Sequence, residues 1–69
     1  MNFTLECEQE DDGRWLAEVL ELPGALAYGG NKDGATAKAE ALALRLLAER
    51  LENGDVRPTA INISLPAAA

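Results

Sequence analysis

The chain has 69 residues, of which 12 are acidic and 6 basic, so it carries a net charge of −6. That sign opposes a grip on a phosphate backbone and argues against direct nucleic-acid binding, while it favours encounter with a basic protein. One cysteine and no histidine leave neither an internal disulfide nor the favoured zinc ligands, so a chain this short, burying only about 60% of its unfolded surface, looks to self-association or a partner for further stability.

Residues 2–9 alternate, with Phe3, Leu5 and Cys7 opposite Asn2, Thr4, Glu6 and Glu8. A period of two predicts a strand with one buried face. Gln9 to Gly13 supplies turn chemistry, with Asp12-Gly13 as the hairpin signal. Alternation resumes from Arg14 to Leu22, with Trp15, Ala17 and Val19 on one face and Leu16, Leu20, Leu22 and Glu18 on the other. Apolar residues on both sides suggest a strand inside the sheet or at an interface. Leu22-Pro23-Gly24 then bends the chain, because proline removes a ladder donor and glycine accepts an unusual backbone angle. A short third strand is expected over Ala25–Tyr28, followed by the loop 29–33.

From Asp33 to Asn53 the alanine- and leucine-rich composition predicts a helix, with Asp33 as N-cap and Asn53-Gly54 as the stop. Ala35, Ala39, Leu42 and Leu46 share a stripe expected on the sheet. Leu44, Leu47 and Leu51 form a second stripe, and Lys38, Arg45, Glu49 and Glu52 form a polar ridge. The apolar arc is wider than one sheet needs, which marks the second stripe as a candidate oligomer interface. Ala60–Leu65 alternates once more and predicts a fourth strand, before a frayed end at Pro66–Ala69. The expected fold is a two-layer α+β domain, β-β-β-α-β, with sheet order 3-2-1-4, the last strand parallel to an earlier one and the helix on one face.

Catalytic chemistry finds little footing. Glu8, Glu10, Asp11 and Asp12 cluster at the hairpin tip but lack the loop spacing of a calcium site. Cys7 has no histidine as base, and its strand parity places it among core residues. Gly29-Gly30 opens neither a phosphate loop nor a dinucleotide fingerprint. No metal, cofactor or catalytic residue is expected. No window reaches the roughly 18 apolar residues of a membrane span. Without a basic, apolar leader at the N-terminus, and with a lone thiol, the chain is expected in the cytoplasm.

Asp12-Gly13-Arg14-Trp15-Leu16-Ala17-Glu18-Val19-Leu20-Glu21-Leu22-Pro23-Gly24, followed by Ala25 to Gly29 and the alanine-rich helix, resembles the HicB-like antitoxin family over roughly residues 3–65. The shared pattern is a hairpin with glycine and an aromatic, then Leu-Pro-Gly, a short strand ending in glycine, and a helix. Departures fall at Asn31–Thr36, which replaces the family's Thr-x-x-Glu-Ala start, and at Ala25, where a cysteine is frequent. A third departure is the expected lack of the family's separate DNA-binding domain, since a chain of this length is expected to form a single domain, 1–69. The resemblance implies a degraded ribonuclease-H-like fold that binds and blocks a small basic RNA-cleaving toxin of HicA type. On that reading Leu22, Pro23, Gly24, Tyr28, Glu18 and Glu21 are the expected partner-binding residues, and Leu44, Leu47 and Leu51 the oligomer interface. The alternative is an orphan homo-oligomer with a structural or regulatory role and no toxin.

Overall fold

A computed structural model describes residues 2–57 and 62–64, the last two of these through their backbone. Five elements follow in the order β1 (Asn2–Gln9), β2 (Trp15–Val19), β3 (Leu26–Gly29), α1 (Lys32–Glu52) and β4 (Asn62–Ser64). The sheet order is β3-β2-β1-β4. β1 and β2 are antiparallel, as are β2 and β3, whereas β4 runs parallel to β1 with Phe3 opposite Ile63. The α1 crossover supplies the length that a parallel return needs. The architecture is thus a small α+β sheet with one helix laid on a face. Ala60, Ile61, Leu65 and Pro66–Ala69, expected as the flanks of the last strand and a frayed end, lie outside the described residues.

The first hairpin closes at the Asp12-Gly13 signal. Glu10 N–H donates to the Arg14 carbonyl at 2.7 Å and Gly13 N–H to the Glu10 carbonyl at 2.9 Å, while Gly13 sits at φ +91°. Asp12 clamps the exit by accepting from Arg14 N–H at 3.1 Å and Arg14 Nε at 2.8 Å.

β2 ends at Val19, three residues earlier than alternation predicts. Two successive turns take over. Leu22 N–H donates to the Val19 carbonyl at 3.1 Å, then Ala25 N–H to the Leu22 carbonyl at 3.0 Å. In the second turn Pro23 precedes Gly24 at φ +92°, the residue pattern of a type II turn. The reversal carries the Leu22 side chain to the helix side, where it is 2% exposed. Its expected place on the outer face with Leu16 and Leu20 is therefore corrected, because strand parity stops where the strand does.

The helix starts one residue earlier than expected, and its N-cap is Asn31 rather than Asp33. Asn31 Oδ1 accepts from Gly34 N–H at 2.7 Å, satisfying one of the orphan donors of the first turn. Asp33 lies inside that turn, where its charge complements the helix dipole. At the far end Gly54 adopts φ +76°. Asp55 N–H donates to the Arg50 carbonyl at 2.8 Å and Gly54 N–H to the Leu51 carbonyl at 3.3 Å, a Schellman closure.

The face that α1 buries is Ala35, Ala39, Ala43 and Leu47. It differs from the expected stripe by admitting Ala43 and Leu47 and leaving Leu42 and Leu46 only partly buried. Methyl groups allow a close approach. A Cβ built on Gly29 would lie 2.5 Å from Ala35 N, so the end of β3 must be glycine for the helix to settle there. Phe3, Leu5, Ala17, Val19, Leu22 and Ala25 complete the core. Cys7 is half-buried, its Sγ 3.2 Å from Thr36 Oγ1.

Candidate protein-binding surface

The second face of the sheet is bare. Odd-numbered residues of β1 and β2 point to the helix, so even-numbered ones line the opposite side, and register sets them in rows. Glu8 stands opposite Leu16, and Leu16 opposite Tyr28; Glu6 stands opposite Glu18, and Glu18 opposite Leu26. Beyond these rows Leu20 N–H donates to the Thr4 carbonyl at 3.1 Å. Leu20, Leu26 and Tyr28 are among the exposed large apolar side chains. Glu6 and Glu8 are exposed, and Leu16 and Glu18 are half-buried. Among the described residues no helix or strand packs on this side.

Chemically the face has two halves. Toward β1 lie three carboxylates, with Glu6 and Glu18 directly across from each other, a like-charge arrangement that opposes sheet pairing. Among the described residues none of Glu6, Glu8 and Glu18 forms an ion pair. Toward β3 lies an apolar strip of Leu16, Leu26 and Tyr28. Arg14 stacks 4.5 Å from the centre of the Tyr28 ring, which fixes the ring at the border of the strip. An apolar strip beside unpaired negative charge suits a protein surface that carries apolar and basic groups together.

Neither a family model, nor a curated protein, nor a solved structure matches this chain.

The expected partner-binding residues divide. Tyr28 and Glu18 lie on the bare face, Tyr28 at 41% exposure. Pro23 and Gly24 are exposed at the rim of the connection between β2 and β3. Glu21 is also exposed, and its Oε1 accepts from Thr4 N–H at 2.8 Å, a bond that lowers its carboxyl below the ordinary value. Leu22 is core and offers nothing to a partner. Glu6, Glu8, Leu16 and Leu26 join the surface unforeseen. Alternation had already turned Glu6 and Glu8 outward, but only the register brings them beside Glu18 and Leu16.

The expected oligomer stripe also divides. Leu44 is 54% and Leu51 38% exposed, whereas Leu47 is 3% exposed and packs in the core. Leu47 is corrected to a core residue because it continues the four-residue series of Ala35, Ala39 and Ala43. At the hairpin tip, Asp12 is held by Arg14, whose backbone N–H lowers its carboxyl below the ordinary value. Among the described residues no three potential ligands converge on a metal-sized site, and no helix is long and apolar enough to cross a membrane.

Proposed function

We propose that this chain is a HicB-like antitoxin module that captures a small basic RNA-cleaving protein of HicA type on the bare face of its sheet. The carrying observation is the Glu6–Glu18 pair with Glu8 beside it, set against Leu16, Leu26 and Tyr28. Cations from a partner relieve the like-charge repulsion, and the apolar strip supplies the water-excluding contact. Inhibition is by occlusion: the partner's RNA-binding surface is basic, and an acidic sheet covers it in place of phosphate. The scaffold reading is a degraded ribonuclease-H-like fold acting in the cytoplasm, without catalysis of its own. The hairpin, Leu22-Pro23-Gly24 and the following helix support that reading by resemblance. Pro23 and Gly24 serve the turn, and Tyr28 and Glu18 serve the contact.

Calorimetric titration with a HicA-type toxin tests it. Micromolar or tighter binding that weakens as salt rises is the expected result, since screening acts on exposed charge. Reversing Glu6 and Glu18 together to lysine should weaken the complex by roughly 2 kcal/mol or more. A folded chain that forms no micromolar complex at any salt concentration sinks the proposal.

A further inference from the structure

The helix presents a second apolar face, pointing away from the sheet. Ala37, Ala41, Leu44, Ala48 and Leu51 follow one another at steps of four, three, four and three residues. That is the a/d spacing of a coiled-coil seam, here with alanine at a in residues 41 and 48 and leucine at d in residues 44 and 51. Ala41 is half-buried and the other four are exposed. The buried face of the same helix, Ala35, Ala39, Ala43 and Leu47, lies nearly opposite. A helix that already has its sheet and still carries a regular second seam has room for one more helix.

The charges beside the seam say which helix fits. In this heptad frame Lys38 and Arg45 occupy e positions, and Asp33 and Glu40 occupy g positions. In a parallel, in-register pair, each g residue faces the e residue five positions on in the other chain. Glu40 then meets Arg45, and Asp33 meets Lys38, so both of these contacts bring opposite signs together, while the third sets the core residue Leu47 beside Glu52. The two-fold repeats both. Running the helices antiparallel about the middle of the seam would instead set Arg45 against Arg45 across the axis and keep only Lys38 against Glu52 as opposite signs, half the favourable contacts of the parallel pair. Within one chain Lys38 Nζ reaches the Tyr28 carbonyl at 3.4 Å, and among the described residues neither Glu40 nor Arg45 forms an ion pair.

We infer that a second copy of this chain docks on the Ala37/Ala41/Leu44/Ala48/Leu51 seam, with the two helices parallel and in register. The inference is independent of the partner-binding reading, because it uses the opposite side of the domain. The sheet already holds each helix folded, so pairing does not carry the cost of helix nucleation. Alanine at both a positions lets the two backbones come close, and Leu44 and Leu51 fill the space between them.

Sedimentation equilibrium over rising concentration reads the outcome. The wild-type chain should approach twice its 7.3 kDa mass, and Leu44→Glu should return it to a single-chain mass with its circular dichroism unchanged. Glu40→Arg should weaken dimerisation, and the double change Glu40→Arg with Arg45→Glu should restore it. In a Cys7→Ser background, Ala48→Cys should cross-link rapidly on oxidation, because a residues face each other across a parallel seam, while Glu49→Cys should not. A single-chain mass for the folded wild type at its highest concentration overturns the seam. A dimer that Ala48→Cys does not cross-link, or that Leu44→Glu does not disrupt, overturns this arrangement of it.

Discussion

A carboxylate at position 21 illustrates how a surface residue can tie down a strand. Glu21 follows the end of β2, and its Oε1 accepts from the backbone N–H of Thr4 on β1. The bond favours the ionised form, so the folded-state carboxyl titrates below its ordinary value of 4.5. Linkage fixes the sign. A depressed value contributes stability that is full above the unfolded value and is lost as pH falls through the folded one. Carbon-detected NMR titration should therefore place the Glu21 midpoint below that of an unstructured glutamate. Glu21→Gln should flatten the acid-side loss of stability between the two values. A midpoint at or above 4.5 rules the bond out as a contributor. Asp12 follows the same logic at the hairpin, where the Arg14 backbone N–H is the main cause. Neither bond is visible in a hydropathy pattern, since each joins a side chain to a backbone group whose position depends on a turn.

Element by element, the sequence was readable wherever one period held and unreadable where two rules competed. β1 follows its alternation to Gln9 because nothing interrupts it. The helix stop at Asn53-Gly54 follows from glycine's tolerance of positive φ. The sheet order follows from a helix-length crossover placed after two short reversals. β2 breaks the pattern: Leu20 and Leu22 continue an apolar run, but the Leu22-Pro23-Gly24 turn redirects it and returns Leu22 to the core. The buried helix face departs from the hydropathy pattern for a different reason. Leucines dominate a hydropathy count, yet the layer spacing is set by alanines at 35, 39 and 43, which a count treats as nearly neutral. The cap shows the same competition, because Asn31 and Asp33 both carry a capping oxygen. Asn31 holds extended backbone angles, φ −144° and ψ 170°, which a cap requires and a residue inside the helix lacks. Asn31→Ala should cost about 1 kcal/mol in urea denaturation, and Asp33→Asn distinctly less. Equal losses would place the cap wrongly.

For the molecule as a whole, the two candidate surfaces lie on opposite sides of the two layers, sheet face and helix back. Contacts more than about 7–10 Å apart with no shared partner act independently. Leu44→Glu should therefore leave the 1:1 affinity for a basic partner unchanged, and Glu6→Lys with Glu18→Lys should leave the dimer mass unchanged; surface binding and sedimentation check the two halves. Loss of both properties from either variant would show that the surfaces are one. The middle of the domain has a different character from its two sides. Where helix meets sheet, Ala17, Ala25, Ala35, Ala39 and Ala43 with Gly29 pack among Phe3, Leu5, Val19, Leu22 and Leu47. A methyl group has no rotamers, so the alanines lose no side-chain freedom on folding, and they leave no slack with which to absorb a larger neighbour. The slab between the layers admits almost no change in volume, while both outer skins can be rewritten to suit a new companion without disturbing the frame that carries them.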